Sequence, residues 1–294
     1  MDSESAVRGH NVPIQTDNKV LINFLDIELS DRQFRTISQL IYDMAGIKLC
    51  SGKEGLVKSR LSKRLRALGM ADFDTYLEYV GKDRSGKELI TLIDSLTTNK
   101  TNFFREEQHF DFLRSHILPP FRDEGRKMRL WSAGCSSGEE PYSIAILLRE
   151  EWPTIDQFDV RILATDISTR VLDLAMNAVY EEEAVKEIDA PLRRRYFTCV
   201  RETPTRAYHV NDNVRHMVRL ARLNLMNPWP MKGPFHVIFC RNVMIYFDKQ
   251  TQLDLVRRFW EMLAPGGYLL VGHSESLTAS SYRFRYVRPA TYVK

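Results

Sequence analysis

The sequence predicts an α/β fold, with a parallel sheet that carries helices on both faces and an all-helical domain before it. Three observations lead to this prediction. Apolar residues recur at helical spacing over residues 30–96, and short apolar runs alternate with helical patterns over residues 106–294. Period-two runs interrupt that alternation at about residues 196–220. This third observation predicts a small antiparallel β insertion within the α/β domain.

Composition limits the classes to which this 294-residue chain can belong. Hydrophobic residues make up 44% of it, which suffices for the cores of two medium domains, and no segment approaches the ~20 apolar residues of a membrane helix. The four cysteines are scattered without a C-x-x-C pair, so we expect reduced thiols and no metal site. The net charge of +4 is too small to indicate a nucleic-acid partner by itself. We expect a globular cytoplasmic protein that does not insert into a membrane.

Residues 29–96 are expected to form the helical domain, after a polar, flexible tail over residues 1–28. Ser30 can cap the first helix, and Gly46 is placed to end it. Three further helices are expected over residues 52–68, 71–80 and 88–96. Residues 97–105 are expected to link this domain to the next.

The α/β domain is expected over residues 106–294 and begins with a helix over residues 106–117, which Pro119-Pro120 stops. Strands are expected at residues 128–133, 160–165, 236–240 and 268–273, and helices at 141–151, 169–179 and 249–263. Within the insertion, residues 207–210 and 216–220 are expected to pair as a hairpin. Residues 283–287 and 291–293 are expected to form an antiparallel pair at the sheet edge.

The most informative motif runs from residue 128 to residue 166. A strand leads into the loop Gly134-Cys135-Ser136-Ser137-Gly138, Glu139 and Glu140 follow, and a second strand ends at Asp166. Glycines let backbone approach a ligand closely, and an acid at the second strand tip can bind ribose hydroxyls. Two acids at a helix N-terminus would repel a pyrophosphate, so a cationic nucleoside such as S-adenosylmethionine (SAM) fits better than the dinucleotide of an oxidoreductase. An ordinary α/β turn with a carboxylate-capped helix would explain the same residues without a ligand.

Two other segments are expected to meet this loop, because ligands of parallel sheets bind at the carboxyl ends of the strands. Arg241, Asn242 and Tyr246 follow the apolar run 236–240. The linker 97–105 supplies hydroxyls, amides and two aromatic rings, of which Phe103 or Phe104 could stack on a nucleoside. Simpler alternatives remain for these segments: Arg241 as a solvated loop residue, Tyr246 as a core residue, and Asn102 as the cap of the next helix.

Six segments together resemble the bacterial chemotaxis receptor methyltransferases, which are SAM-dependent protein-glutamate O-methyltransferases. The segments are TTNKTNFFRE (97–106), SSGEEPYSIAILL (136–148), ATDIS (164–168), ARLNL (221–225), FCRNVMIYFD (239–248) and GHSES (272–276). The match runs from about Ser30 to the C-terminus, in order and at family-like spacing. It implies a Rossmann-like class I methyltransferase domain with an inserted antiparallel β-subdomain, preceded by an all-α domain. It also implies methyl transfer to glutamates on the cytoplasmic helices of methyl-accepting chemoreceptors, with S-adenosylhomocysteine as the other product.

The resemblance also assigns site residues. It implies donor contacts by Asn99, Thr101, Arg105, Glu140 (with Glu139 as the neighbouring candidate), Asp166, Asn224, Leu225, Arg241 and Asn242. Among them Asp166 would meet the ribose and Asn224 and Leu225 the adenine edge. Arg105 and Tyr246 would border the transferred methyl and are the catalytic candidates. A glutamate side chain has a pKa of about 4.3 and is already ionised near neutral pH, so alignment and desolvation, without a general base, are expected to supply the catalysis.

The second helix carries a basic flank, which consists of Lys53, Arg60, Lys63 and Arg64. A solvated face would explain such a flank, but the resemblance favours docking onto an acidic receptor helix rich in substrate glutamates. Nucleic acid is a weaker option, because aromatic residues do not interleave with the basic ones. Residues 199–206 lack the glycine turns that accompany tethering to a receptor C-terminal peptide in some family members, so tethering is not expected. We expect a monomer that is recruited to membrane receptor arrays; a non-catalytic adaptor on the same fold is the rival class.

Overall fold

The computed structural model describes residues 27–277 and 283–294, so most of the predicted tail 1–28 lies outside the described residues. Four helices come first: α1 (Asp31–Ala45), α2 (Glu54–Leu68), α3 (Phe73–Lys82) and α4 (Lys87–Leu96). Ser30 caps α1 through a capping box with Gln33, and Gly46, at φ 69°, ends it as the sequence predicts. The apolar faces of the four helices share one core.

The next segment departs from the prediction. Helix α5 (Gln108–Phe112) continues through a π-helical turn (Leu113–Ile117) into α6 (Leu118–Asp123). The predicted stop at Pro119-Pro120 is therefore wrong. The two prolines occupy the first turn of α6, immediately after the π-helical turn, and the chain stays helical through them to Asp123.

Strands and helices then follow one another to the end of the chain. In order they are β1 (Met128–Ala133), α7 (Glu139–Glu151), β2 (Val160–Asp166), α8 (Thr169–Asn177), β3 (Val179–Glu181), α9 (Glu182–Val185), α10 (Ala190–Tyr196), β4 (Phe197–Arg201), β5 (Ala207–Val210), α11 (Asp212–Arg215), β6 (Val218–Arg222), β7 (Phe235–Cys240), α12 (Lys249–Met262), β8 (Leu263–Val271), β9 (Arg285–Arg288) and β10 (Thr291–Val293). No helix in the described ranges is long and apolar enough to cross a membrane.

Seven strands form the main sheet, in the order β6-β2-β1-β7-β8-β10-β9. The first five are mutually parallel, and the β9–β10 pair closes one edge in antiparallel fashion, as predicted. Alternate residues of β1 enter separate cores: Leu130 packs on the α7 side and Trp131 on the α12 side. The order reverses between β1 and β7, and such a reversal opens a crevice for ligands at the carboxyl ends of the strands.

The insertion differs in part from its prediction. A separate antiparallel sheet, in the order β3-β5-β4, does form, but it begins at Val179, before the predicted limit of 196. The predicted pairing of 207–210 with 216–220 is wrong, because Val218–Arg222 joins the main sheet parallel to β2, with Ile162 opposite Val218. Strand β6 lies at the edge of that sheet and is half exposed, so its sequence has the period two of an antiparallel strand.

Candidate functional site

A cavity of about 350 Å³ lies between the helical domain and the carboxyl ends of β1, β2 and β7. Its size falls within the roughly 300–1,000 Å³ of small-molecule sites. Ten residues that the resemblance assigned to the donor or to the transfer step line it: Asn99, Thr101, Arg105, Glu140, Asp166, Asn224, Leu225, Arg241, Asn242 and Tyr246. Glu139, the neighbouring candidate for Glu140, does not line it. Of the basic flank on α2, Lys53 lines the cavity, whereas Arg60, Lys63 and Arg64 do not.

The glycine loop after β1 is held in place by Asp166. The backbone N–H of Ser136 donates to Oδ2 of Asp166 at 2.8 Å, and that of Ser168 to Oδ1 at 3.0 Å. Burial raises the pKa of Asp166, and these two N–H groups oppose the rise. Gly134 has φ 91°, and a Cβ there would lie 2.3 Å from Val243 Cγ2, so this position requires glycine. Each Asp166 oxygen can still accept another hydrogen bond from a ligand hydroxyl.

The linker lies across this loop. Ser136 Oγ donates to the Asn99 carbonyl at 2.9 Å, and the Tyr246 hydroxyl donates to the Thr98 carbonyl at 3.2 Å. These bonds place the amide and hydroxyl side chains of the linker in the cavity wall. Tyr246 is half-buried in that wall, so the alternative of a core tyrosine is wrong.

The aromatic residues of the linker do not behave as predicted. Phe103 is buried and packs edge-on against Tyr180, with ring centroids 5.0 Å apart, and Phe104 packs against Phe110. Neither lines the cavity, so nucleoside stacking by Phe103 or Phe104 is wrong. The capping role of Asn102 is also wrong, because α5 begins at Gln108 without a side-chain cap.

Arg241 lies at the centre of a buried ionic network. Its side chain is 2% exposed, with Nη1 3.0 Å from Glu140 Oε2 and Nη2 3.2 Å from Glu106 Oε2. It also donates to the Arg105 carbonyl, and Ser132 Oγ donates to the second oxygen of Glu140 at 2.6 Å. The alternative of a solvated Arg241 is therefore wrong. Its guanidinium joins the linker, the start of α7 and the end of β7.

Glu106 was missed by sequence reasoning, although it closes the segment TTNKTNFFRE. Burial acts to raise its pKa, but the Arg241 charge, the His273 N–H and charge, and the hydrogen bond from Arg241 together outweigh burial, so the pKa falls below its usual value. Behind it His109 is 1% exposed, and burial together with Arg241 lowers the pKa of His109 to about 3. Possible ligand atoms of Glu106, His109 and His273 lie within 4.8 Å of one another. A cation there would have to compete with Arg241 for the Glu106 carboxylate.

Glu275 is a second residue whose role was missed. It is 7% exposed, and its carboxylate accepts backbone N–H groups from Gly272 at 2.6 Å, Asn242 at 2.8 Å and Ile245 at 3.1 Å. Burial raises its pKa and these N–H groups oppose the rise. Asn242 has φ 59°, a conformation uncommon outside glycine. Glu275 thus holds the loop that carries Asn242 and Tyr246. The only signal was its place in the segment GHSES.

The helical domain completes the cavity through direct contacts with the loops of the α/β domain. The Asn224 side chain donates to the Met44 carbonyl at 2.6 Å, and the Lys48 N–H donates to the Tyr246 carbonyl at 2.8 Å. Ile47 also forms a β-bridge with Phe247. The two catalytic candidates therefore lie where the two domains meet, because Arg105 and Tyr246 both line this side of the cavity.

Two members of the basic flank are bound within the protein. Arg64 forms a two-pronged ion pair with the buried carboxylate of Glu88, at 2.5 and 2.9 Å. Arg60 donates to the carbonyls of Leu96 at 2.7 Å and Thr97 at 3.0 Å. These guanidinium groups hold α2 against α4 and the linker. Reversing their charge would disturb the helical domain and would not test receptor docking.

Two family models match the chain. The CheR methyltransferase all-alpha domain matches residues 32–97, and the CheR methyltransferase SAM binding domain matches residues 99–293. The Rossmann-like sheet, its crevice and this second match define the class: the protein is a SAM-dependent methyltransferase, as the resemblance implied. The chain belongs to the CheR chemotaxis methyltransferase family.

Curated relatives agree with that assignment. The chain is 42% identical over 245 residues to the probable chemotaxis protein methyltransferase of Rhizobium etli, covering 82% of this chain and 91% of the relative. It is 42% identical over 259 residues to the chemotaxis protein methyltransferase of Escherichia coli, covering 88% and 89%. For that of Borreliella burgdorferi the values are 39% over 278 residues, covering 92% and 96%. The similarity thus spans nearly the whole length of these relatives.

Proposed function

We propose that this protein transfers the methyl group of SAM to glutamate side chains on the cytoplasmic helices of chemoreceptors, giving methyl esters that serve chemotactic adaptation. The observation that carries the proposal is the convergence on one cavity of the ten donor and transfer residues that the resemblance assigned. The relatives named above are chemotaxis protein methyltransferases, which supports the chemotactic role. We also propose that it acts in the cytoplasm as a monomer and is recruited to receptor arrays.

The inner wall of the cavity suits a cationic donor. When bound, SAM supplies an electrophilic methyl group on a sulfonium. Asp166 offers acceptor oxygens to the ribose, and Glu140 places a second carboxylate in the same wall. Asn224 and Leu225 are assigned to the adenine edge, and Asn99, Thr101 and Asn242 to the remaining donor contacts. We assign Arg241 to positioning, because its guanidinium is already bound to Glu140, Glu106 and the Arg105 carbonyl.

The transfer step needs orientation more than proton movement. A glutamate acceptor with a pKa near 4.3 arrives ionised, so no residue has to remove a proton from it. Arg105 can orient the acceptor carboxylate through charge, and Tyr246 borders the same space with its hydroxyl fixed on the Thr98 carbonyl. Glu275 holds Tyr246 in place through the backbone of its loop.

One assay tests class and substrate together. The full chain is incubated with SAM labelled in the methyl group and with membranes that contain a chemoreceptor. We expect base-labile label on the receptor, as a methyl ester requires. A matched receptor with its methyl-accepting glutamates replaced by alanine should remain unlabelled. If the chain binds SAM but no receptor gains base-labile label, the proposed acceptor is wrong.

A further inference from the structure

The glycine loop between β1 and α7 has a backbone conformation that needs support. Ser136 has φ 49° and Gly138 has φ 100°, so both residues lie in the left-handed region, and one of them carries a side chain. Such a conformation persists only where neighbouring groups fix it. The Asp166 carboxylate and the Asn99 carbonyl bind Ser136, in the first half of the loop. The second half, Ser137 and Gly138, is left for other groups to fix.

Tyr180 of the inserted sheet holds that second half. Its hydroxyl donates to the Ser137 carbonyl at 2.6 Å. The residue is 6% exposed, and a Cβ at Gly138 would lie only 2.8 Å from its hydroxyl oxygen. Burial, together with the nearby Glu139 charge, raises the pKa of Tyr180, so the hydroxyl keeps its proton and can donate. Tyr180 does not line the cavity, so any effect on a ligand has to pass through the loop.

The same sheet also holds the linker. The Phe103 ring packs edge-on against Tyr180 of β3 and Phe197 of β4, with ring centroids 5.0 and 5.4 Å apart, and all three residues are buried. Both strands pair with β5, which fixes the two rings relative to each other. Thr101 and Arg105, two residues before and after Phe103, line the cavity. One small sheet therefore supports two of the segments that form the cavity wall.

We propose that Tyr180 is a positioning residue of the donor site, through which the inserted sheet holds the glycine loop in the shape that SAM binds. The inference rests on the donor site of the proposed function and deepens it, and it does not depend on the acceptor. A loop that is already ordered does not have to be ordered when the ligand arrives, so binding costs less. Loss of the hydroxyl should therefore weaken SAM binding and leave the transfer step, once SAM is bound, at its normal rate.

The test compares two buried tyrosines. Tyr180→Phe removes the hydroxyl and keeps the ring. Tyr142→Phe is the matched control, because Tyr142 is 2% exposed and its hydroxyl donates to a backbone carbonyl too, that of Ala175 on α8, at 2.7 Å. Each variant loses one hydrogen bond of the same kind, but only Tyr180→Phe loses a bond to the loop. Calorimetry measures SAM affinity, urea unfolding measures stability, and mass spectrometry measures amide exchange over residues 134–138.

We expect Tyr180→Phe to raise the Kd for SAM about three- to tenfold and to speed amide exchange in the loop. The KM for SAM should rise with the Kd, whereas kcat at saturating SAM should stay within about twofold of the wild type. Tyr142→Phe should bind SAM within about twofold of the wild type, with a similar shift of its urea midpoint. Phe103→Leu keeps an apolar side chain in the linker but removes the edge-on contact, and it should raise the Kd as well.

Three results would overturn the proposal: wild-type SAM affinity in Tyr180→Phe, an equal loss of affinity in Tyr142→Phe, or a fall in kcat with unchanged affinity, which would place Tyr180 in the transfer step. If Tyr180→Phe does not fold, Phe103→Leu decides in its place, and wild-type SAM affinity there would refute the role of the sheet.

Calorimetry needs no receptor and so separates this proposal from the proposed function. If the wild type binds SAM but labels no receptor, and Tyr180→Phe binds SAM more weakly, the proposed acceptor is wrong and the positioning role stands. If the receptor is labelled and Tyr180→Phe binds SAM as the wild type does, the positioning role fails and the proposed function stands.

Discussion

The inner wall of the cavity and its mouth hold their charged side chains in different ways. Inside, Asp166 accepts two backbone N–H groups, and Glu140 is bound by Arg241 and Ser132. At the mouth, Lys48, Lys53 and Lys100, which we call the basic rim, are exposed. Breaking a buried pair leaves an uncompensated charge and costs about 3–5 kcal/mol, whereas an exposed charge contributes about 0–1 kcal/mol. The buried charges therefore build the donor site in advance, and the exposed ones remain available to a partner.

The largest effect is expected at Arg241. Arg241→Met should lower the free energy of unfolding by about 3–5 kcal/mol, because Glu106 and Glu140 would remain buried without their counter-charge. Urea unfolding measures this loss, and SAM affinity should fall with it. Lys232→Met, at an exposed site, should change stability by less than about 0.5 kcal/mol. A change of under 1 kcal/mol in Arg241→Met would show that the buried network does not support the inner wall.

Asp166 should give the next largest effect. Asp166→Ala removes the acceptor proposed for the ribose and also the partner of the Ser136 and Ser168 N–H groups, so SAM binding should weaken by about 1–3 kcal/mol. Asp166→Asn keeps one acceptor oxygen and should lose less. Calorimetry on the folded variants decides the matter: unchanged SAM affinity in Asp166→Ala would rule out the ribose role.

Arg105 and Tyr246, between the wall and the rim, should affect turnover more than binding. Arg105→Ala and Tyr246→Phe are each expected to lower kcat by about tenfold or more, about 1.4 kcal/mol, with a smaller change in SAM affinity. This is the pattern of groups that act mainly in the transition state. Single-turnover kinetics and calorimetry provide the two readouts. Wild-type turnover in both variants would refute their assignment to the transfer step.

The smallest expected effect is that of salt on receptor methylation. It distinguishes the exposed charges of the rim from the buried charges of the inner wall most directly. Raising the ionic strength from about 0.1 M to about 1 M shortens the screening length from about 10 Å to about 3 Å. Receptor methylation should fall several-fold, since exposed charges are screened, whereas SAM affinity should change little, because the wall charges are buried. Parallel titrations of both quantities check this. Equal salt dependence would mean that both regions respond as exposed surface.

Deletion of the receptor's C-terminal peptide should change the rate of receptor methylation little.

Much of the fold could be predicted from local patterns. Short, continuous apolar runs identified four of the five parallel strands, namely β1, β2, β7 and β8. A strand that is buried on both faces needs such a run. Strand β6 was assigned to the insertion, since a half-exposed edge strand has the same period two as a hairpin strand. The stop at Pro119-Pro120 failed for a similar reason: proline excludes a helix interior but also fits a helix start, and only the path of the chain separates the two cases.

The sequence by itself determined that the glycine loop, the end of β7 and the linker meet at the cavity, because strand ends and the linker between domains can be located from short-range periodicity. Asn224 and Leu225 were assigned only through the family resemblance. Only the tertiary structure decided which charges are bound and which are free. Arg241 pairs with Glu106 across 135 positions of the chain, and Arg64 pairs with Glu88 across 24. Glu275 holds its loop through backbone groups that carry no sequence signal. The reason is physical. The same charged residue in a sequence can pair with a buried carboxylate or face solvent, and the packing of distant segments decides which of the two occurs.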